Sequence, residues 1–472
     1  MDLHNKAVKN HFDQLAHKRE YYLKKNWYYH QSLHKLCAFF VPSGASVLAV
    51  GSGNGDLLSY VRPKKGIGID ISPQMVQIAQ KKHPQLNFKV QDVEQLSVKG
   101  TFDYILCSDV IGHVSDVQTA FEKIAKVSNA ETRVIVTYYN FLWEPAMVLA
   151  EKLGFKFPNL RQNWLSLTDI QNLLNLSQLE VVKKGNFLLM PFYIPLLSDF
   201  INQYIARLPL IKQLCLVQYL VARLKPEETK KRYSVSVIIP ARNEEGNIEN
   251  AVKWTPQLGK WTEIIFVEGN SSDNTKKEIQ RVISKYGKQR KISLINQGKG
   301  RGKGDAVRKG FAKARGDILM ILDADLTMPP EELPKFYDTL SSRVGEFVMG
   351  SRLVYPMENQ AMRFLNILGN KFFSLAFSFL LDQKIKDTLC GTKVLFRKDY
   401  EKIVKNRNYF GEFDPFGDFD LIFGAAKLNL KIVEIPIRYK ARTYGETNIS
   451  RFRHGFLLLK MVLFASKKIK FI

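Results

Sequence analysis

The feature that most restricts the fold is an alternation of short apolar strands with helix-length segments, and it occurs twice. From Ala45 the run ASVLAV meets the glycine-rich turn GSGNG and a helix start. GIGID, NFKVQD, FDYILCSDV and TRVIVTYYN then follow as strands to Asn140. At Ser234 the pattern restarts with SVSVIIP, TEIIFVE, KISLIN and the unbroken apolar run Ile318–Leu322. Such runs form parallel sheets buried on both faces. The expected fold class is α/β, two Rossmann-like domains in tandem, and 472 residues suit two to three domains. Residues 1–190 are expected as the first domain and 191–232 as an apolar helical segment with a charged linker. Residues 233–453 are expected as the second domain, and 454–472 as a basic amphipathic tail.

The last strand of the second alternation ends in Asp323-Ala324-Asp325, followed by Pro329-Pro330 and the acids Glu331 and Glu332 that suit a helix first turn. Open α/β sheets bind ligands at the carboxyl ends of their strands. Carboxylates one residue apart can share a hard divalent cation, Mg2+ or Mn2+, and such a cation suits a diphosphate. Upstream, the loop from Gln297 to Gly304 alternates four glycines with three cations, ending in Lys303, which makes a phosphate cradle before a helix. In the first alternation Gly51, Gly53 and Gly55 allow a tight turn and close ligand approach. Asp70, ending the next strand, stands where a ribose-binding acid belongs.

Charge narrows the partners. The chain carries 70 basic and 45 acidic residues, a net +25, which points to nucleic acid, anionic membrane or phosphorylated substrates. Its four cysteines are far apart, arguing for neither a disulfide framework nor a zinc site and fitting a reducing compartment. No uncharged run approaches the roughly 20 residues of a spanning helix, and the first residues lack a signal-peptide core. The expectation is a cytoplasmic protein, peripheral on the cytoplasmic face of the membrane. Phe372–Leu381 and Gly455–Ser466 are short apolar runs. Between Lys431 and Ile472 there are 10 Lys or Arg and 2 Asp or Glu, a net +8. This suits interfacial helices on an anionic membrane surface; the alternative is packing on the domain core. The apolar stretch Gly185–Leu224 is likewise open between packing on the first sheet and lying in a membrane interface.

Over roughly residues 30–190 the chain resembles class I S-adenosylmethionine-dependent methyltransferases. VGSGNG is similar to their cofactor loop, which implies Gly51, Gly53 and Gly55 at S-adenosylmethionine, Asp70 at its ribose and Asp92 near its adenine. The acid these enzymes often carry two residues before the first loop glycine is Ala49 here. His113, in SDVIGHVSD, is a candidate for acting on a substrate or for a structural role at a helix start.

Over about Ser234–Arg453 the chain resembles family-2 glycosyltransferases of the GT-A fold, nearest to dolichyl- or polyprenyl-phosphate hexosyltransferases. VIIPARNEEGNI is similar to their nucleotide-contacting loop, implying Pro240, Arg242 and Glu244 as base and ribose contacts. VEGNSSDNT resembles their VDDGSSDGT, with Val267 and Glu268 beside the base and Gly269 replacing the second Asp. GKGDAV brings Lys303 to the donor. Asp323, Ala324 and Asp325 form the metal and diphosphate site, with Asp325 the principal ligand and Asp323 nearer ribose and sugar. GSRL implies Arg352 near the phosphates, and ARTYGETN implies Arg442 on the donor diphosphate, with Asn448 in place of the family's final lysine. Arg363 and Asn366 are the acceptor candidates.

The resemblance thus implies a bifunctional enzyme. One half would transfer a mannose- or glucose-type hexose, with inversion, from a nucleotide-diphosphate sugar to a polyprenyl phosphate lipid. The other would be a methyltransferase in glycolipid or glycan biosynthesis; the alternative is a degenerate methyltransferase scaffold. A nucleic-acid methyltransferase is disfavoured, because SDVIGH lacks the proline motif of base-amino methylases and no RNA-binding module is present. No nucleic-acid partner is expected.

Overall fold

The computed structural model describes residues 3–160, 162–227, 231–300, 302–355, 364–407, 419–442, 444–445 and 451–470, with 364–368 and 451–454 described by backbone alone. The chain divides into two compact units, Met1–Lys225 and Pro226–Lys470.

In the first unit β1 (Ser46–Val50), β2 (Lys65–Asp70), β3 (Asn87–Val90), β4 (Tyr104–Ser108), β5 (Arg133–Tyr139), β6 (Leu179–Phe187) and β7 (Val217–Leu224) form one sheet of order β3-β2-β1-β4-β5-β7-β6. The first five strands are parallel, and β7 lies antiparallel between β5 and β6. Alternate residues of the central strands enter two separate cores: Leu48, Ile105 and Val134 one, Val47, Leu106 and Ile135 the other. This two-sided burial is why these strands read as continuous apolar runs.

β7 corrects the expected helical connector at 191–232. VQYLVARL is a nearly fully buried strand, and Arg223, 2 % exposed, meets Glu180 of β6 at 2.6 Å. A strand covered on both faces shows no alternation of apolar and polar residues, and leucine, alanine and arginine favour helix, so local pattern misreads it. The unit therefore extends to Lys225, beyond the expected 190.

The second unit repeats the architecture. β8 (Val235–Ala241), β9 (Thr262–Glu268), β10 (Lys291–Asn296), β11 (Ile318–Ile321), β12 (Phe347–Ser351), β13 (Lys393–Phe396) and β14 (Ile432–Pro436) run in the order β10-β9-β8-β11-β13-β12-β14. Only β13 is antiparallel to its neighbours, β11 and β12. In both sheets chain order reverses beside the first strand, between β1 and β4 and between β8 and β11. The crevice at the carboxyl ends of such a pair is where α/β sheets take ligands.

The C-terminal segment is not a free tail. Helix Arg451–Ala465 buries Leu458, Met461 and Ala465 in the same core as Phe373 and Phe377 of helix Phe364–Leu381, and Lys470 pairs with Asp382. The outer faces stay apolar, with Phe372, Leu375, Phe456 and Leu463 exposed. Among the described residues no helix is long and apolar enough to cross a membrane.

The placement of β7 is testable. A chain ending at residue 190 lacks the strand that joins β5 to β6 and should be recovered as aggregate. A chain ending at Lys225 should give a monodisperse, cooperatively melting domain, read by size-exclusion chromatography and circular dichroism.

Candidate functional site

In the first unit the turn after β1 is built from Gly51, Gly53 and Gly55, with φ of 65°, 53° and 82°. A Cβ at Gly51 would stand 2.6 Å from Val110, and one at Gly55 2.6 Å from Phe88, so bulk is excluded as well as strain. Asp70, at the end of β2, holds the turn: its Oδ2 accepts from Gly53 N at 2.8 Å and its Oδ1 from Ser72 N at 3.0 Å. Burial raises its pKa, the two N–H groups opposing. Each carboxylate oxygen keeps a second lone pair, so Asp70 can still receive ribose hydroxyls. Asp92, after β3, accepts from Asn5 Nδ2 at 2.9 Å and from Glu94 N at 3.0 Å.

Gly51, Gly53, Asp70 and Asp92 line one cavity of about 610 Å3. That lies within the roughly 300–1,000 Å3 of small-molecule sites. The residues present thus fit a nucleoside cofactor: a close-approach glycine turn, an acid at ribose height and a cavity large enough. The cavity is also lined by the N-terminal helices, through Asn5, Phe12 and Arg19 of the first two and Tyr29 of helix Trp27–Phe40. Sequence reasoning assigned these helices no part in the site; their polar-aromatic texture, which is dense for a surface helix, was the available signal.

Two further groups face this cavity. Asp109, just after β4, sits at φ 55° and accepts from Tyr29 Oη at 2.6 Å, while its Oδ1 is shut from solvent with no hydrogen-bond partner among the described residues. Burial pushes its pKa up to about 6. His113 is pushed the other way, to about 3, first by burial and then by nearby cations, and its Nε2 accepts from Gln162 Nε2 at 3.0 Å. His113 is a neutral, hydrogen-bonded ring, so Asp109 rather than His113 is the group here poised to take a proton near neutral pH.

In the second unit Asp323 and Asp325 leave β11 at the switch point beside β8. Lys303 Nζ reaches Asp323 Oδ1 at 2.5 Å, and Arg442 bridges Asp325 Oδ2 at 2.7 Å and Glu244 Oε1 at 3.1 Å. Thr327 donates to Asp325 Oδ1 from its backbone N at 3.2 Å and its hydroxyl at 2.9 Å. Burial acts to raise Asp323, but the charge and hydrogen bond of Lys303, with the charges of Lys393 and Arg352, together hold the carboxyl below its usual range. Glu244 goes the other way, raised by burial and by Asp325 against the pull of Arg442. Gly391 must stay bare, because a Cβ there would fall 1.9 Å from Asp323 Oδ2. Among the described residues no third acid, His or Cys joins the pair as a metal cluster. Two carboxylates with protein cations against them, and no cage, fit a divalent ion whose other ligands come from a diphosphate and water.

Of the remaining expected contacts, Pro240 and Val267 stand opposite each other at the ends of β8 and β9. Ala324 is buried between the two acids, and Glu268, also buried, accepts from Ser271 N at 2.6 Å. Gly269, where the family pattern has Asp, sits close under its neighbours: a Cβ would be 3.2 Å from Arg242 Cβ and 3.2 Å from Gln297 Oε1, contacts that a shift of a few tenths of an ångström would relieve. Arg352 has a partner that its motif does not show. Its Nε and one Nη donate to Asp387 at 2.7 and 2.8 Å, and Asn370 Nδ2 donates to the same carboxylate at 2.9 Å. It is therefore held in a buried ion pair close enough to lower the Asp323 pKa through its charge, and the pair uses Nε and one Nη of the guanidinium. Arg363 and Asn448 lie outside the described residues, as does the side chain of Asn366 in helix Phe364–Leu381.

Known proteins match each unit separately. The profile for Glycosyl transferase family 2 covers residues 236–404, and that for a Methyltransferase domain covers residues 15–184. The dolichol-phosphate mannosyltransferase of Pyrococcus furiosus is 30% identical over 237 residues, 48% of this chain and 64% of that protein. The Saccharomyces cerevisiae dolichol-phosphate mannosyltransferase is 37% identical over 122 residues, 25% of this chain and 44% of that protein. An undecaprenyl-phosphate 4-deoxy-4-formamido-L-arabinose transferase of Pseudomonas aeruginosa is 33% identical over 232 residues, 48% of this chain and 64% of that protein. The chain thus spans less than two thirds of the length of these relatives. The chain thus carries a stretch that matches a methyltransferase domain, residues 15–184, followed by one that matches family-2 glycosyltransferases, residues 236–404, each containing its own switch-point site.

Proposed function

We propose that the second unit transfers a hexose, with inversion, from a nucleotide sugar to a polyprenyl phosphate, and that the first methylates a product of the same glycolipid synthesis. The observation that carries the first part is the pairing of Asp323 with Lys303 and of Asp325 with Arg442 at one switch point. Bound Mg2+ or Mn2+, held by Asp323 and Asp325, would neutralise charge on the departing nucleoside diphosphate. Lys303 and Arg442 provide fixed cations at the same place, and Glu244 orients Arg442. The acceptor phosphate, with a second pKa of about 6, is already ionised at neutral pH, so the site needs positioning rather than a strong base. Arg363 and Asn366 remain the residues proposed for that positioning.

The relatives act on dolichol phosphate and undecaprenyl phosphate, which supports a lipid acceptor. The outward apolar faces of helices Phe364–Leu381 and Arg451–Ala465, flanked by Lys460, Lys467 and Lys468, support peripheral attachment to an anionic membrane. In the first unit S-adenosylmethionine would supply a methyl group on a sulfonium. Asp109, held by Tyr29, is the base for an acceptor hydroxyl, and Asp70 fixes the turn that approaches the cofactor. The intact turn, Asp70 and cavity favour this over a decayed scaffold.

Asp325→Asn should lower transfer of labelled sugar to undecaprenyl phosphate by about 10²–10³-fold, as loss of one preorganised charge-stabilising group does. Calorimetric binding of S-adenosylhomocysteine to the same preparation should be unchanged. Chelation of divalent ions should stop sugar transfer, and Mg2+ or Mn2+ should restore it; transfer that survives chelation counts against the metal assignment. Asp109 must be ionised to accept a proton, so label transfer from methyl-labelled S-adenosylmethionine into total membrane lipid should rise with pH through about 6. Asp109→Asn should reduce that transfer by about 10²–10⁴-fold and abolish the rising limb; a variant keeping the limb assigns the base elsewhere.

A further inference from the structure

The first unit carries an apolar surface that neither its cofactor turn nor its core accounts for. Segment 190–214 presents Phe192, Leu196, Phe200 and Leu210 to solvent, with Leu196 87% and Leu210 85% exposed. Helix Glu144–Lys152 and the residues after it add Leu149, Leu153 and Phe155. The two stretches are one surface. Trp143 Nε1 donates to Leu214 O at 2.8 Å, and Asn140 Nδ2 donates to Gln213 O at 2.8 Å.

The surface is rigidly built. Asn202 Oδ1 accepts from both Leu189 N and Met190 N at 2.9 Å, and its Nδ2 donates to Tyr28 Oη at 3.1 Å. Tyr28 in turn donates to Asp199 at 2.9 Å. Pro191, Pro195 and Pro209 stiffen the backbone. Leu196 adopts φ 64°, a region that non-glycine residues avoid, and in doing so points its side chain outward. A strained leucine displayed to water is unfavourable on both counts unless an apolar medium covers it.

The surroundings say which medium. Trp27, Tyr193 and Tyr204 are exposed around the leucines, and Trp27 lies 5.2 Å from Tyr193 ring to ring. Amphipathic aromatic rings at the edge of an apolar patch are the composition of a membrane–water boundary. Exposed Lys24, Lys25 and Lys152, with Lys212, stand among them; Lys25 Nζ donates to Gly154 O at 2.8 Å and lies 4.9 Å over the Phe155 ring. Apolar centre, aromatic edge and cationic rim together match an anionic bilayer and fit poorly a neutral protein partner. The surface also surrounds the cavity entrance: Phe155 and Phe192 both line the cavity and are 56% and 58% exposed.

We propose that this face is a membrane-docking surface of the first unit, and that its methyl acceptor is carried on a lipid and enters the cavity from the bilayer between Phe155 and Phe192. The acceptor class rests on the methyltransferase reading above; the docking does not. All four native cysteines are buried, so a single introduced thiol can be labelled selectively. Leu196→Cys and Leu210→Cys of the full chain would carry a polarity-sensitive fluorophore, with Glu122→Cys, on the exposed side of helix Val117–Lys126, as control. Vesicles of phosphatidylcholine and phosphatidylglycerol should shift emission at 196 and 210 to the blue, and acyl-chain spin-labelled lipid should quench it, with neither effect at 122. Binding of the chain to vesicles through the second unit alone would leave all three labels unchanged and overturn the proposal. A blue shift at 196 and 210 that depends on protein concentration without vesicles would assign the face to a second copy and also overturn it. S-adenosylhomocysteine calorimetry on the same samples separates the readings. Absent binding removes the lipid-acceptor step while the label result decides the docking.

Discussion

Carboxylates at the carboxyl ends of parallel strands, each held by donors from a neighbouring turn, loop or helix, are the constraint on which both sites depend. In the second unit Arg442 joins Asp325 to Glu244 and so ties three segments together across 198 residues of sequence. Lys303 does the same for Asp323 from the glycine loop. Left without partners, two acids one residue apart at a half-buried strand end would repel and be driven towards protonation. With the cations in place both carboxylates are preorganised and the pKa of Asp323 is held down, which suits a divalent ion and a diphosphate. The bare Cα of Gly391 and the packing of Asn370 and Arg352 on Asp387 follow from the same demand, since they hold the far wall of the site against Asp323.

The first unit solves a related problem with neutral donors. Asp70 is held by two backbone N–H groups instead of a cation, so burial dominates and its pKa rises where that of Asp323 falls. The difference suits the ligands: a ribose offers hydroxyls to an acceptor, whereas a diphosphate with its metal demands full charges. Asp109 carries the contrast further. With one oxygen on Tyr29 and the other without a protein partner, its charged form is the least supported of the cavity's acids.

Much of this was legible in the sequence, for identifiable reasons. The strands that became β1, β2, β8, β9 and β11 are short apolar runs ending in turns whose glycines or acids serve the site, so pattern and chemistry agree. β7 was not legible, because a strand buried on both faces and rich in helix-forming residues has no period to read. The role of the N-terminal helices was hidden for another reason: nothing local says that Asn5 reaches Asp92 or Tyr29 reaches Asp109, contacts 87 and 80 residues apart. The ion pair of Arg352 was hidden in the same way. Its motif marks its position beside the site, but the buried partner Asp387, which determines what the guanidinium does, lies 35 residues further on.

Arg352 and Arg442 therefore show how the same residue type divides its work by depth. Arg352 is nearly buried, bidentate to a carboxylate without solvent access, and over the Tyr439 ring at 5.2 Å, so its charge is already matched. Arg442 is more open, its side chain 26% exposed against 11% for Arg352, and it is shared between two carboxylates. A matched, buried pair fixes geometry because breaking it leaves an uncompensated charge; a cation shared between two acids and partly open to solvent can turn towards an arriving phosphate while a metal takes its place on the carboxylate. Arg352 is thus the more deeply set of the two cations and Arg442 the one more open to a ligand. Lys303 and Asp323, 30% and 32% exposed, form a still more open pair than Arg442 and Asp325, so at both acids a protein cation stands where a divalent ion and a diphosphate can reach it.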